Sequence, residues 1–494
     1  MASHHLSMEK RTFAHDDPEV CGLEPPRGGK WYACHLSHKY LEFRQPELES
    51  VAATKGCNVQ DVLWRLPPST DPMMMPIWYV SLPSDDIARQ VVSRTMLTKG
   101  LYELWGEGST WEELEASIQA YPEHLKLPWC RKDLSFKVHV DSYGRRIDIK
   151  EQVEYVERLG FIPFQGKVDL KQPQVKFWLM VIDVHESHGL GDTSMVPYRL
   201  YFGRQIAEYG HQVVAQYSLK TRPYIGPTSM DTEMAFIMCN QAKVDRGSFV
   251  FDPYVGTGSI TVAAAHHGAQ VMGTDIDMRV VKLGKKGPQG QTLDVYVNFD
   301  HYGIRNCLAG LIRGDMHRHP FRDGLKEVFH AIVGDPPYGV RAGGRKSAYR
   351  DIQIRDPSTH IPGTAPYSLG ECLRDLLDFA ARMLAIGGRL VLFIPATPET
   401  YIEEEIPRHP TLKLIYNSEQ ILTTRYSRRL ITYEKLHAYD AAAAARHHEA
   451  NPDPTMAIDR IHDIVYDSYE RDENGQVIYP EGALNAKKFR GKKI

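Results

Sequence analysis

From about residue 230 onward the chain alternates strand-like and helical segments: a helix over 231–242, then SFVFD, ITVAAAHHGA, QVMGTD, LIRGD, HAIVGD and RLVLFIPA. Strands joined through helices by short loops make βαβ units, which confines this stretch to a largely parallel sheet. Ligands of open α/β sheets bind at the carboxyl ends of the strands. Asp252, Asp275, Asp315 and Asp335 each close one of these segments. A long helical stretch is expected between QVMGTD and LIRGD. Ser368 and Glu371 form a capping box ahead of Leu373, Leu376, Leu377, Ala380, Met383 and Leu384, with Gly387-Gly388 as the helix stop. LKLIYN and RLITYEK complete the sheet by about residue 436.

The 494 residues exceed what one core organises, so two or three domains are expected. Residues 1–30 read as a flexible extension. Residues 31–115 carry the α+β grammar of a compact sheet with helices, including IWYVSLP and a helix over 85–98. Residues 116–205 hold two strong strands, LSFKVHVDS and KFWLMVIDV. Residues 206–230 read as a connection, 231–437 as the α/β domain, and 438–494, with AAAAA and a basic end, as a weakly ordered tail. A net charge of −3 excludes attachment to nucleic acid by bulk positive charge, though not by a local basic groove. The seven cysteines are scattered and none forms a CxxC pair, so neither a disulfide framework nor a cysteine metal site is expected. The amino terminus lacks the apolar core of a signal peptide and apolar runs are too short to span a bilayer, which predicts a soluble intracellular protein.

The loop after SFVFD runs Asp252-Pro-Tyr254-Val-Gly256-Thr257-Gly258. Its two glycines let a ligand approach the backbone at the start of a helix, where N–H groups are free. No Gly-Lys-Ser/Thr follows, and Thr261 stands where a dinucleotide loop has its third glycine. An uncharged or zwitterionic adenosine ligand fits this loop better than a pyrophosphate. Asp275 is placed to accept from ribose hydroxyls, and Asp315 from an adenine amino group.

Asp335-Pro336-Pro337-Tyr338 follows the apolar strand AIVG. It suits methylation of an exocyclic amino group, whose lone pair is delocalised into its ring. The Asp335 carboxylate and the Pro336 carbonyl can each accept one N–H, favouring a tetrahedral nitrogen with its lone pair turned to a methyl donor. Tandem prolines fix φ, so the acceptors are pre-placed, and Tyr338 offers a stacking face. A base within folded nucleic acid must be swung out to reach such a pocket. Arg341, Arg345, Lys346, Arg425, Arg428 and Arg429 could hold phosphates around it.

GPTSMDTEMAFIMCNQA, DPYVGTGSITVAAAHHGA, GTDID, GDPPYGVR and SEQILTTRYSRRLITYEK occur in this order, with YLEFRQPELESV and GKVDLKQPQVKFWL upstream. The chain resembles the catalytic subunits of eukaryotic tRNA guanosine-10 N2-methyltransferases, most specifically over residues 200–437. The resemblance implies an α/β fold class: a Rossmann-like methyltransferase domain preceded by α+β ferredoxin-like and THUMP RNA-binding domains. It implies S-adenosylmethionine as donor, guanosine N2 of tRNA as acceptor, a cytoplasmic setting, and a heterodimer with a small zinc-binding activator subunit. By motif, Thr228, Ser229, Met230, Asp252, Tyr254, Gly256, Thr257, Gly258, Asp275, Ile276, Asp315 and Met316 would hold the donor. Asp335, Pro336, Pro337 and Tyr338 would grip the base. Tyr254 departs from the commoner phenylalanine, and the terminal extensions are unfamiliar. The motif alone also admits DNA adenine or protein glutamine as acceptor, or a non-catalytic RNA-binding protein with a vestigial donor pocket.

Overall fold

The structure, a computed structural model, describes residues 28–67, 69, 71–183, 198–210, 212–277, 279–337, 344–347, 364–397, 401–423 and 426–451. The chain forms two compact units. The first opens with β1 (Lys30–Leu36), α1 (Arg44–Thr54), β2 (Trp64–Arg65), β3 (Ile77–Leu82), α2 (Asp85–Val92) and β4 (Thr98–Gly108). It continues with α3 (Trp111–Ala120), α4 (Glu123–Lys126), β5 (Phe136–Tyr143), α5 (Ile149–Arg158), β6 (Val175–Ile182), β7 (Arg199–Glu208), α6 (Gln212–Gln216) and α7 (Thr232–Gln241). One seven-stranded sheet of order β2-β3-β1-β4-β7-β6-β5 joins the strands of both expected N-terminal domains. All its recorded pairings are antiparallel except β5 with β6.

The run KFWLMVI is apolar on both faces because β6 is an inner strand, and Phe177, Trp178 and Leu179 are fully buried there. Side-chain caps start the helices: Ser84, Thr110, Asp148 and Asp231 accept the N–H three residues on. The expected linker at 206–230 departs from the sequence reading at its start, since β7 runs to Glu208. The strand YRLYFGRQIAE hides behind internal arginines. Arg204 is nevertheless buried, paired with Glu103 at 2.7 Å and lying 3.8 Å from the centre of the Trp129 ring.

The second unit is built on β8 (Phe249–Asp252); the chain then runs through α8 (Ser259–His266), which belongs to the first unit, to β9 (Gln270–Asp275). Next come a small hairpin of β10 (Lys285–Lys286) and β11 (Thr292–Leu293), then α9 (Val295–His301), which past its first residue belongs to the first unit, and back in the second unit β12 (Leu308–Arg313) and β13 (Phe329–Gly334). A second hairpin pairs β14 (Arg345–Ser347) with β15 (Thr364–Pro366), followed by α10 (Leu369–Met383), β16 (Leu384–Ala396), β17 (Leu412–Ile421), β18 (Ser427–Lys435) and α11 (Ala441–Ala450). The sheet order is β12-β9-β8-β13-β16-β18-β17, with β13 parallel to β8 and β16, and β18 antiparallel to both neighbours. Its core gathers Phe251, Phe329, Ile332, Leu376, Phe379 and Leu390.

Three expectations are corrected. The long helix before β12 is replaced by one π-type turn (Arg279–Leu283), the β10–β11 hairpin and the short α9, because Gly284, Gly287, Pro288 and Gly290 interrupt it. α10 begins at its Ser368 cap but ends at Met383, and Gly387-Gly388 lies inside β16. A Cβ on Gly388 would stand 2.8 Å from the His330 carbonyl, so that glycine serves strand approach rather than helix termination. In the tail, residues 441–450 form a helix whose first N–H groups are taken by Asp440. No helix among the described residues is long and apolar enough to cross a membrane.

Candidate active site

Within the second unit the four strand-end aspartates differ in environment. Asp252 is buried, and its Oδ1 accepts the Tyr254 N–H at 2.9 Å, a short-range turn that bends the chain out of β8. Burial pushes this carboxyl up to about 8, and the nearby Asp275 and Asp335 add to the rise. It therefore acts as a neutral brace beneath the loop at pH 7. Asp275 Oδ2 accepts from Gly256 N at 3.1 Å and its Oδ1 from Asp277 N at 2.9 Å, which ties the glycine loop to the end of β9. Gly256 has φ +48°, a backbone region costly to side-chain-bearing residues. Burial raises Asp275 as well, against the pull of its N–H donors.

Asp315 is buried and accepts from Arg318 N at 2.9 Å and from Ser347 N at 3.0 Å. Burial alone would raise it, but hydrogen bonds from Ser347 and Arg318 outweigh that and hold it below the ordinary carboxylate value. Its neighbour Met316 is in the hydrophobic core, so the side chain expected to meet the donor packs inward instead. Tyr254 likewise packs against that core, with its hydroxyl 3.0 Å from Cys372 Sγ. Ile276 is half-buried just past the end of β9.

Asp335 follows directly on β13, beside the end of β8. A Cβ on Gly334 would lie 3.0 Å from Pro253 Cγ and 3.3 Å from Tyr254 Cδ2, so the glycine eases the close approach of the two motif-bearing ends. The Asp335 side chain is 25% exposed and stands 3.6 Å from Arg428 Nη1. Its Oδ1 is shut off from solvent and has no hydrogen-bond partner among the described residues. Burial pushes this carboxyl up to about 6, partly offset by Arg428. A buried acceptor left open at a strand end is what a base amino group would fill. Pro336 is buried and Pro337 half-buried; Tyr338 lies outside the described residues.

In the first unit, Ser229 Oγ accepts from Gly226 N at 2.9 Å and lies 2.6 Å from Thr257 Oγ1, so the 226–229 turn is fastened to the later part of the glycine loop. Thr228 is exposed and Met230 buried. Gly258, at φ +82°, precedes α8. Two residues that no motif singles out complete this region. Arg222 donates to Ser259 Oγ at 2.7 Å and to the Tyr217 carbonyl, and Asn298 bridges both Tyr224 backbone groups and the Thr257 carbonyl.

The basic residues expected to hold phosphates are mostly engaged. Lys346 pairs with Glu371, Arg428 with Asp335, and Arg429 is buried with its guanidinium 4.0 Å from the centre of the Tyr401 ring. Arg345 is exposed and donates to Thr364 Oγ1. Arg341 and Arg425 lie outside the described residues.

Two protein families match this chain: the Tmrp11 THUMP N-terminal domain over residues 30–211 and the RMKL-like methyltransferase domain over residues 220–352. The tRNA (guanine(10)-N(2))-methyltransferase TRMT11 of Mus musculus is 38% identical over 424 residues, covering 83% of this chain and 89% of its own. This chain belongs to that family. The Homo sapiens relative of the same name is 37% identical over 427 residues, with 83% and 89% of the two chains covered. The Dictyostelium discoideum relative is 33% identical over 431 residues, with 83% of each covered. Among solved structures, TrmN from Thermus thermophilus aligns with 82% of this chain and 100% of its own at 18% identity and a TM-score of 0.39, a distant likeness.

Proposed function

We infer that this chain transfers a methyl group from S-adenosylmethionine to the N2 amino group of a guanosine in tRNA, at position 10 as in the name its relatives carry. The observation that carries the chemical part is the buried, open Oδ1 of Asp335, set beside the end of β8 by the Gly334–Pro253 approach. Bound donor supplies an electrophilic methyl group on a sulfonium. Asp275 and Asp315 would hold its ribose and adenine, the glycine loop with Thr228, Ser229 and Met230 its methionine end, and Asp252 would brace that loop from beneath.

Asp335 accepts one N–H of the target amine and the Pro336 carbonyl the other, which opposes delocalisation of the nitrogen lone pair into the purine. The two prolines fix the backbone there before the base arrives, so no ordering is left for the reaction step. As the new N–C bond forms, the amine proton becomes acidic. A carboxylate lifted to about 6 by burial is poised to receive it near neutral pH. Tyr338 would stack on the base. Arg341, Arg345 and Arg425 would meet the RNA backbone, whereas Lys346, Arg428 and Arg429 are engaged with Glu371, Asp335 and the Tyr401 ring.

The N-terminal sheet would hold the folded RNA, divided as a ferredoxin-like part (31–115) and a THUMP part (116–205), ahead of the methyltransferase domain at 231–437. The family resemblance supports two further parts of this reading: a small zinc-binding activator subunit as partner, and the cytoplasm as the site of action.

The test incubates the full chain, with and without that small subunit, with methyl-labelled donor and unmodified tRNA, then maps the labelled nucleoside. N2-methylguanosine at position 10 is expected. Label on adenine or on protein would overturn the assignment, and a single-chain mass for the purified active enzyme would remove the partner.

A further inference from the structure

The hairpin that follows the Asp-Pro-Pro motif is tied to the aspartate that closes β12. β14 and β15 pair with Lys346 opposite Ala365 and Ser347 opposite Thr364. The Ser347 N–H donates to Asp315 Oδ2 at 3.0 Å, while Arg318 N occupies Oδ1. One residue back, the Lys346 ammonium pairs with Glu371 on α10 and lies 5.6 Å from the centre of the Tyr367 ring. Tyr367 is itself fixed, its hydroxyl donating to Asp375 Oδ2 at 2.7 Å and its N–H to the Gly344 carbonyl at 2.9 Å. A Cβ on Gly344 would come within 2.4 Å of the Tyr367 carbonyl, so the stem has no slack.

His317, Glu371 and Asp375 bring together groups of metal-ligand type. Lys346 pairs with Glu371, while Asp375 Oδ2 is shared by the Tyr367 hydroxyl at 2.7 Å and His317 Nδ1 at 3.0 Å. Glu371 and Asp375 stand one turn apart on α10, whose start is set by the Ser368 cap, and so present a fixed anionic face to β14. The Lys346–Glu371 pair and the Ser347–Thr364 pairing together hold the strand that carries the Ser347 N–H, and that N–H with Arg318 N orients the Asp315 carboxylate.

We propose that Lys346 is a positioning residue: by pinning β14 to α10 through Glu371 it aims Asp315 at the amino group of the donor's adenine, and so governs donor affinity rather than the methyl-transfer step. This rests on the reading of Asp315 as the adenine acceptor. A charge-assisted hydrogen bond lost or misaimed at such a site weakens binding by about tenfold or more.

The test uses the full chain and measures S-adenosylhomocysteine affinity by titration calorimetry, together with kcat and the separate KM values for donor and tRNA. Lys346→Met is expected to weaken S-adenosylhomocysteine and raise donor KM by about tenfold, with kcat and tRNA KM within about twofold of wild type. Lys346→Arg should keep wild-type values, and the exchange K346E/E371K should recover most of the loss. Ser347→Pro removes the N–H that reaches Asp315 Oδ2 while leaving the Arg318 N–H on Oδ1 and the ion pair in place, and should reproduce the donor defect even if Lys346→Met fails to fold. Asp315→Ala separates the two layers of inference. If it weakens the donor while Lys346→Met and Ser347→Pro do not, the positioning role is wrong and the adenine site stands. If Asp315→Ala has no effect on the donor, the adenine site itself is wrong. A rise in tRNA KM alone for Lys346→Met would make the lysine an RNA contact and overturn the proposal.

Discussion

Arg428→Met should move the acid limb of the methylation rate toward neutral pH. Asp335 must be ionised to accept from the target amine, and burial already lifts it to about 6. The nearest offsetting charge is Arg428, with Nη1 3.6 Å from Asp335 Oδ2 and its guanidinium 3.8 Å from the centre of the Phe393 ring. At an effective dielectric of about 20, unit charges 3.6 Å apart attract by about 4.6 kcal/mol. The carboxylate is 25% exposed and the arginine 13%, so solvent screening leaves roughly a third, about 1.4 kcal/mol or one pKa unit. Removing the charge favours the protonated acid, so Asp335 should rise from about 6 to about 7. Wild-type rate should be half-maximal near pH 6 and the variant near pH 7, with the two converging above about pH 8.5. Methionine keeps an apolar stem over Phe393, which limits packing loss. Single-turnover rates with saturating donor and tRNA from pH 5 to 9 measure this. An unmoved acid limb in a folded Arg428→Met variant would refute the assignment of that limb to Asp335.

Asp335→Ala should abolish turnover while leaving S-adenosylhomocysteine binding within about threefold, as titration calorimetry would check; lost binding would make Asp335 a structural residue. Asp252→Asn should flatten the stability profile between about pH 4 and 8. The folded acid is raised to about 8, so its contribution is full below the unfolded value and lost as pH climbs through about 8. Between pH 6 and 7 wild type should lose up to about 1.4 kcal/mol that the asparagine variant keeps, as urea unfolding at both pH values would show. Glu47→Ala should destabilise the first unit by about 3 kcal/mol or more, measured by denaturant unfolding. It strands the Met96 and Leu97 N–H groups and the Asn240 amide, bonded at 2.8, 2.9 and 2.7 Å, in a buried site. Asp440→Ala should cost α11 about 1 kcal/mol, visible as faster amide exchange across residues 441–450.

What the sequence discloses here depends on how far apart in the chain the partners lie. Asp252, Asp275, Asp315 and Asp335 could be read because each terminates its own apolar segment, and a parallel sheet carries all such ends to one edge whatever the loops do. The Ser368 cap was legible for the same reason, its donor being three residues away. β7 was hidden because its pattern mixes Arg199 and Arg204 with aromatics, and only the neighbouring strands reveal that Glu107 and Glu103 neutralise them. The arginines of TTRYSRRL show the limit most clearly. By composition they are solvated cations near an RNA, yet β18 pairs with β16 so that Arg428 falls opposite Pro395 and within reach of Asp335, while Arg429 turns to Tyr401. Which arginine faces the Asp335 carboxylate is set by a strand register, and shifting that register by one residue would exchange the two. A charge next to a motif in sequence is therefore weaker grounds for an RNA contact than one beside it in the sheet. By the second criterion, Arg428 belongs with Asp335, 3.6 Å away, before it belongs with an RNA.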